Sequence, residues 1–315
     1  MKRYLSQRLK LRHLRVVTTV ASQGSLLKAA ESLGLTQPAL TKSLREIEDI
    51  VGARIFDRHA RGMQVNGYGT LLADAARTIL NTLRDVEDGF DRIDCRVGGT
   101  VIVGALPTAA AGVIPAVLRK MRIAEPDIQL RVVEDRTNEL YASLALGDID
   151  LFVGRLYSHA DAAGQFEQVP IYDEPMSFIV GHQHPLAERK GLSVGEISGH
   201  EISLPAATFR IGADTHAYLD MLGMKLGEGF TTTSLPLLRE MLLNSELVTV
   251  MPWLMLKGDI DRGTLRVLDL ANPGTPPPRQ AGLVLRRDRP LTPPAARFVE
   301  VVTEYARTAL PQYGS

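Results

Sequence analysis

Apolar residues in the first third of the chain recur at helical spacing and predict three short helices. The first carries one apolar face, formed by Leu11, Leu14, Val17, Val20 and Ala21. "SQGS" interrupts it, with Gly24 as the stop and Ser25 as the next N-cap. The second helix spans about Leu26–Leu33 and ends at Gly34.

A third helix is predicted from Thr36 to Gly52. Thr36 is a good N-cap, and Pro38 falls in the first turn, where a missing N–H costs nothing. Its apolar stripe has spacings of four, three and four and consists of Leu40, Leu44, Ile47 and Val51. The proline therefore marks the start of a helix and does not break one.

Two different patterns follow this helix. "ARIFDRHARGMQVNGYG" alternates apolar and polar residues around Gly62, which predicts a hairpin or wing. From about Tyr68 a heptad seam is formed by Leu72, Ala76, Ile79, Leu83, Val86, Phe90 and Ile93. The seam predicts a long helix that pairs with a second copy of itself; packing against its own domain is the alternative.

After the linker "RVGGT" strands and helices alternate. "TVIVGAL", "IQLRVVED" and "IDLFVGR" are separated by helical segments, which predicts a parallel α/β sheet. A second set of strands runs from "EPMSFIVG" through "HEISLP" to "ELVTVMP". A Pro-rich loop, the strand "AGLVLRR" and a helix at about Thr292–Ala309 then return the chain to the first lobe.

The overall charge balance hides an asymmetry. The chain has 36 basic and 36 acidic residues, yet residues 1–66 contain 12 Lys or Arg and five Asp or Glu, a net charge of +7. The remainder therefore carries −7. A basic end on an acidic body predicts that this end alone meets a polyanion.

Several classes of protein are disfavoured. We see neither a signal peptide nor a run of about 18 apolar residues, so a cytoplasmic protein without membrane spans is expected. The single cysteine, Cys95, cannot form an internal disulfide and reads as a passive apolar residue. His182 and His184 lack further ligands at metal spacing, so no metal or cofactor is expected. Phosphate-loop, nucleophile-elbow and zincin motifs are absent.

The third helix carries the residue types that read DNA. Glutamine and basic side chains bind base edges, and basic side chains also bind phosphates. The candidates on this helix are Thr36, Gln37, Pro38, Thr41, Lys42, Ser43 and Arg45, helped by free N–H groups in the first turn. Arg54, Arg58 and Arg61 suit contacts between the wing and the DNA backbone. A merely solvated amphipathic helix is the alternative.

This segment resembles the N-terminal domain of LysR-type transcriptional regulators. That family carries A-x-x-L-x-x-[ST]-Q-P-[AS]-[VLI]-S-x-x-I-x-x-L-E followed by G-x-x-L-F-x-R. The matching residues are Ala30, Leu33, Thr36, Gln37, Pro38, Ala39, Leu40, Glu48, Gly52, Phe56 and Arg58. Thr41 replaces the usual serine, and "LRVVEDRTNELYASLALGDIDLFVG" is similar to the effector domain. "KLRHLRVVTTVA" also resembles regulators of protocatechuate catabolism and of a galactose-binding protein.

The resemblance implies an α/β fold with an N-terminal winged helix-turn-helix, a long dimerising linker helix and a two-lobed effector domain like periplasmic binding proteins. We expect the domains at 1–66, 67–96 and 97–315, with lobe I at about 97–170 and 271–315 and lobe II at about 171–270. The implied partners are double-stranded promoter DNA, a small effector and the chain itself, as a dimer that usually becomes a tetramer. RNA polymerase is a further candidate partner.

An effector is expected beyond the carboxyl ends of strands. The candidate effector-binding residues lie at the ends of four strands. They are Thr108 and Ala109, Arg155, Thr208 and Arg210, and Thr232 and Thr233. Hydroxyls with an arginine suit a sugar, a sugar acid or an aromatic acid. Alternatively, Thr108 only caps its own helix and Arg155 is a solvated loop charge.

Three other functions compete with that of an effector-sensing regulator. An α/β enzyme with an accessory domain lacks a catalytic constellation, and a transport-type binding protein would not need the basic N-terminal segment. A DNA-binding regulator whose α/β body serves only oligomerisation remains the alternative to an effector sensor.

Overall fold

The structure is a computed structural model that describes residues 4–59, 62–93, 99–157, 164–205, 209–224, 230–274 and 279–310. Its contacts divide the chain into two compact units. Unit 1 comprises Met1–Gly98 and Ala145–Asp148, and unit 2 comprises Gly99–Leu144 and Ile149–Ser315. Cys95 lies outside the described residues.

Unit 1 begins with four helices, of which the sequence predicts three. They are α1 (Leu5–Arg8), α2 (Leu11–Gln23), α3 (Leu26–Ser32) and α4 (Gln37–Val51). The predicted start of α4 is confirmed, since the Thr36 hydroxyl accepts the N–H of Ala39 at 3.4 Å. Its end is confirmed as well, because Gly52 adopts a left-handed φ of 73°. The four stripe residues of α4 are buried in the core of this unit.

The predicted hairpin is confirmed as β1 (Phe56–His59) paired antiparallel with β2 (Gly62–Val65). Gly62 has a φ of +130°, and a Cβ there would lie 2.3 Å from the Gly24 carbonyl oxygen. The next residue, Met63, donates its N–H to that same oxygen at 2.8 Å. Only glycine allows the hairpin to lie so close to the turn after α2.

The heptad seam of the long helix α5 (Gly67–Ile93) is buried at its start and exposed further along. Leu72 and Ala76 are buried within unit 1, and Leu72 belongs to the same core as α4. The next four seam residues are exposed, namely Ile79, Leu83, Val86 and Phe90. The expectation that the whole seam faces a second copy is therefore wrong for its first two positions.

The first sheet of unit 2 has the strand order β4-β3-β5-β12-β6. Its strands are β3 (Gly99–Ala105), β4 (Ile128–Glu134), β5 (Leu151–Arg155), β6 (Phe166–Asp173) and β12 (Gln280–Arg286). β3, β4 and β5 are parallel, but β12 runs antiparallel to both β5 and β6. The parallel arrangement that the sequence predicts for β3, β4 and β5 is thus confirmed. The sequence predicts no orientation for β12 and does not predict β6.

The second sheet has the order β11-β7-β10-β8-β9. It contains β7 (Met176–Gly181), β8 (Ile202–Pro205), β9 (Thr231–Thr232), β10 (Val248–Pro252) and β11 (Leu265–Val267). β8 is parallel to β9 and β10, whereas β7 is antiparallel to β10 and β11. The chain therefore passes from the first sheet to the second between β6 and β7 and returns before β12.

Helices cover both sheets. They are α6 (Pro107–Gly112), α7 (Ile114–Ala124), α8 (Thr137–Leu146), α9 (Val194–Ile197), α10 (Phe209–Met221), α11 (Leu235–Asn244), α12 (Lys257–Asp261) and α13 (Pro293–Ala309), with a 3-10 helix at Trp253–Leu256. α7 and α13 pack on the first sheet through residues such as Val117, Phe298 and Val302. The second sheet has apolar clusters of its own, around Phe178 and Leu238.

Candidate functional site

One face of α4 gathers the polar residues that the sequence singled out. Gln37, Pro38, Thr41, Lys42 and Arg45 line an open depression of about 390 Å³. All except the half-buried Thr41 are exposed. The opposite face is buried in the core, so the helix is held by its leucines while this polar face stays available to a partner.

The three candidates with a hydroxyl group, at the N-cap of α4 or within it, are less available than the sequence suggests. The hydroxyl of Thr36 is occupied as the helix cap, and that of Thr41 donates to the Gln37 carbonyl oxygen at 2.9 Å. Ser43 is half-buried and does not line the depression. The first turn also offers few N–H groups, since Pro38 has none and Ala39 uses its own for the cap.

Two side chains fix the segment that carries Arg54. Glu48 accepts the N–H of Ile55 at 3.0 Å. Asn66 donates to the Arg54 carbonyl oxygen at 3.1 Å and accepts the N–H of Gly69 at 3.1 Å. Arg54 itself is exposed, so a rigid backbone presents a solvated cation beside the hairpin.

The other two wing arginines are only partly described. Arg58 lies in β1, opposite Met63, and the structure describes its backbone only. Arg61 lies outside the described residues.

In unit 2 the first pair of effector candidates lies at the edge of the first sheet. β3 and β5 are paired at Ala105 and Val153, so α6 and the end of β5 leave the sheet at the same edge. Thr108 and Ala109, both in α6, are buried. The N-cap of α6 is Leu106, which makes no side-chain cap bond. The alternative that Thr108 caps its own helix is therefore wrong.

Arg155 is the last residue of β5, and its side chain is only 15% exposed. Its Nε and Nη1 atoms are buried and make no hydrogen bond with any described residue. The nearest carboxylate oxygen, Oδ2 of Asp214, is 3.6 Å from Nε, and the guanidinium carbon is 5.6 Å from the centre of the Tyr157 ring. The alternative of a solvated loop charge is therefore wrong. Burial, followed by the positive charge of Arg279, lowers the pKa of Arg155.

A set of charged residues that the sequence did not single out surrounds Arg155. Arg279 and Glu174 are buried, at 6% and 1% exposed, and Asp214 is partly exposed. Arg279 hydrogen-bonds to the Asp214 carboxylate through Nη1 and lies 3.8 Å from a Glu174 oxygen through Nη2. One signal could have located Arg279, namely a lone cation between the Pro-rich loop and an apolar strand.

The structure describes only some of the candidate effector-binding residues of the second lobe. Thr232 ends β9 and accepts the N–H of Ser234 through its hydroxyl at 3.0 Å, so it shapes the turn into α11. Thr233 is exposed. Thr208 lies outside the described residues, and of Arg210 the structure gives only the backbone, in α10.

Family models cover almost the whole chain. Residues 11–70 match a model described as bacterial regulatory helix-turn-helix protein, lysR family. Residues 96–307 match the LysR substrate binding domain. The chain belongs to the LysR family.

Curated relatives agree with this membership, and a solved structure shares the fold. Over 304 residues the chain is 30% identical to the HTH-type transcriptional regulator PcaQ of Agrobacterium fabrum, covering 96% of each protein. It is 25% identical over 294 residues to the dual regulator OxyR of Escherichia coli, covering 93% of this chain and 95% of the relative. The crystal structure of the LysR-family regulator CbnR superposes with a TM-score of 0.69 at 18% identity, covering 95% and 99%.

Among the described residues, no helix has both the length and the apolar character that a bilayer span requires. In the same part of the chain, no three His, Cys, Asp or Glu side chains lie together in a way that could hold a metal ion.

Proposed function

We propose that this LysR-family chain is a transcriptional regulator that binds promoter DNA as a homo-oligomer and responds to a small effector. The observation that carries the proposal is the exposed depression on α4, which brings Gln37, Lys42 and Arg45 together above a buried leucine stripe. Amide and cationic side chains on one helix face suit base edges and phosphates in a major groove. The identity to PcaQ, a transcriptional regulator, supports it.

The assigned DNA contacts follow from exposure. Gln37, Lys42 and Arg45 would reach base edges, with Pro38 and Thr41 beside them. Arg54, Arg58 and Arg61 would bind the backbone. Thr36 and Ser43 act chiefly in the helix itself, as the cap and a half-buried neighbour of the core.

DNA binding is tested with the full-length protein and DNA from upstream of its own gene, compared with unrelated DNA. Lys42→Ala should weaken specific binding by about 1–3 kcal/mol, because it removes a contact in the groove. Lys28→Ala is the matched control, since Lys28 is exposed on α3 and does not line the depression. Equal affinities for Lys42→Ala and the wild type would overturn the docking of α4.

Self-association is assigned to α5. The exposed part of its seam, from Ile79 to Phe90, leaves four large apolar side chains on one helix face. A second copy of α5 would bury them by heptad packing. We place the DNA-binding domain at 1–66, the linker helix at 67–96 and the effector domain at 97–315, and a tetramer is the expected assembly. The protein would act on DNA in the cytoplasm.

The effector is assigned to the sheet edge beside Thr108 and Arg155. The buried Nε and Nη1 of Arg155, which make no hydrogen bond with a described residue, suit a carboxylate or another anion with two acceptor oxygens, and the hydroxyls suit a sugar acid or an aromatic acid. Thr208, Arg210, Thr232 and Thr233 are assigned to the same ligand from the second lobe. A disulfide switch within one chain is excluded by the single cysteine.

The sensor is tested by a thermal-shift panel of sugar acids and aromatic acids, followed by calorimetry. Arg155→Met and Thr108→Val should each lower the affinity for the compound that the panel identifies. The loss for Arg155→Met should be about 1.5–3 kcal/mol, because that variant removes a charged contact. Arg131→Met, at an exposed position on β4, is the control. Unchanged affinity in both variants would overturn the site. If no compound shifts the melting temperature, the α/β domain serves oligomerisation alone.

A further inference from the structure

The two passages of the chain between the sheets of unit 2 are bonded to each other. Glu174 follows β6, and Arg279 precedes β12. The Glu174 N–H donates to the Arg279 carbonyl oxygen at 2.9 Å, and the Arg279 Nε donates to the Glu174 carbonyl oxygen at 3.1 Å. We call this residue pair the clasp. Both of its side chains are buried, so their charges interact in a medium that screens poorly.

The carboxyl group of Glu174 has few hydrogen bonds for a buried acid. Tyr172 donates its hydroxyl to one oxygen at 3.4 Å, and the Arg279 Nη2 lies 3.8 Å from the other, which is too long for a hydrogen bond. The other charges that act on it are Arg155 at the end of β5 and Asp214 on α10. Burial raises the pKa of Glu174 to about 7, although Arg279 and Arg155 oppose the shift.

The clasp continues into a row of alternating charges. Arg279 hydrogen-bonds to Asp214, and the same Asp214 oxygen lies 3.6 Å from the Nε of Arg155. Arg279 therefore stands between two carboxyl groups, those of Glu174 and Asp214. Asp214 in turn stands between two guanidinium groups.

We propose that Glu174 is a positioning residue. Its protonation state sets the strength of the interaction between Arg279 and Asp214, and thereby how closely Asp214 approaches Arg155. With Glu174 neutral, Arg279 has one carboxylate partner and keeps it. With Glu174 ionised, Arg279 is shared between two carboxylates, and Asp214 shifts toward the Nε and Nη1 of Arg155, which make no hydrogen bond with a described residue. An anion bound to Arg155 would then meet more competition above neutral pH than below it. Only this last consequence rests on the proposed effector site.

The stability effect has a definite sign. The ordinary glutamate pKa is 4.5, and the folded value is about 7, so the folded chain holds a proton over that window that the unfolded chain has released. The contribution of this bound proton to the free energy of unfolding is fully present below pH 4.5 and is lost as the pH rises to about 7. Glu174→Gln, which stays neutral, removes this dependence.

The first experiment follows urea unfolding of the full-length protein between pH 4.5 and 8.5. Trp253, the single tryptophan, reports on unit 2. The ratio of the folding equilibrium constant of the wild type to that of Glu174→Gln should fall on the order of 100-fold across this range. Glu167→Gln, an exposed glutamate on β6, should follow the wild type. Parallel profiles for the wild type and Glu174→Gln would overturn the proposal.

The second experiment tests positioning through Arg279. A double-mutant cycle combines Glu174→Gln with Asp214→Asn at pH 5.5 and pH 8.5. At pH 5.5 residue 174 is neutral in either form, and the coupling should be close to zero. At pH 8.5 the coupling should change the folding equilibrium constant by about tenfold or more. A purely structural role would give the same coupling at both pH values, which would overturn the proposal.

A third readout needs no substitution and covers the case in which a variant fails to fold. Wild-type protein is labelled with ¹³C at the glutamate carboxyl groups and titrated. One glutamate resonance should titrate near pH 7. If every glutamate titrates below about pH 5, as exposed carboxyl groups do, the proposal fails. None of these three experiments uses an effector, so a failure of the proposed sensing function would be seen separately.

Discussion

The face of α4 and the surroundings of Arg155 both present positive charge, but one does so in water and the other in the protein interior. Lys42 and Arg45 are exposed, and water screens them until a polyanion arrives. Arg155 and Arg279 are largely buried and are balanced by Asp214 and Glu174. The difference teaches that a solvated cation can be removed at little cost to folding, whereas a buried one cannot.

The largest effect should come from removing one of the buried cations. Arg279→Met leaves Glu174 and Asp214 without their shared cation, and unfolding of unit 2 should become easier by about 3–5 kcal/mol. Trp253 fluorescence in urea measures it. Lys190→Met, at an exposed position, should change stability by less than about 0.5 kcal/mol. A similarly small loss for Arg279→Met would show that the buried charges are not coupled.

The next effect concerns α5, where one helix has both a buried and an exposed part of the same seam. Leu83→Glu places a charge in the exposed part and should raise the dimer dissociation constant on the order of 100-fold, because that charge would have to be desolvated. Sedimentation equilibrium measures it. Thr70→Glu, exposed in the first turn of α5 and away from the seam, is the control. Unchanged association would exclude this part of the seam as the interface.

A smaller effect is expected for the solvated cation beside the wing. Arg54→Ala should weaken binding to all DNA sequences severalfold and should reduce the salt slope by about one, because it removes one phosphate contact. Fluorescence anisotropy over a salt series measures both. Arg122→Ala, exposed on α7, is the control with the same change in net charge. A change confined to one DNA sequence would contradict a backbone contact.

The smallest effect is a pH dependence of opposite sign to that of Glu174. His184 is buried, accepts the Leu186 N–H at Nδ1 and lies 3.2 Å from the Glu246 carbonyl oxygen through Nε2, so the neutral ring fits its site. Burial, followed by the nearby His200, lowers the pKa of His184. Its contribution to stability is present above the ordinary value of 6.5 and is lost as pH falls through the lowered pKa.

Urea unfolding of His184→Gln between pH 7.5 and 5 measures this contribution. The variant should lose less stability on acidification than the wild type does. His182→Gln, which changes an exposed histidine, should behave like the wild type. Identical acid dependence in all three proteins would contradict the assignment to His184.

Much of unit 1 could be predicted because its signals are local. The cap at Thr36, the proline in the first turn and the leucine stripe lie within one helix, and each acts on its neighbours in sequence. The exposed Lys42 and Arg45 followed from helical periodicity alone. The half-burial of Ser43, next to the stripe, did not follow from periodicity, because it depends on how the neighbouring helices pack.

The surroundings of Arg155 could be predicted only in part because they depend on distant segments. The end of β5 pointed to Arg155, but Asp214 and Arg279 lie 59 and 124 positions further along the chain. Nothing in the local pattern tells that these residues meet. The sequence predicts that the strand β12 returns to the first lobe, but not that it runs antiparallel beside β5 and β6, which brings Arg279 to Glu174.

The sequence by itself determined the helices α2 to α5 of unit 1, the polar face of α4, the succession of most strands along the chain and the family. Local propensity and periodicity suffice for these features. Only the tertiary structure decided which half of the α5 seam is exposed, which strands run antiparallel, and that Arg155 is buried in a row of alternating charges. These depend on contacts between residues far apart in the chain, where burial turns a side chain of ordinary charge into one whose protonation and partners are strongly constrained.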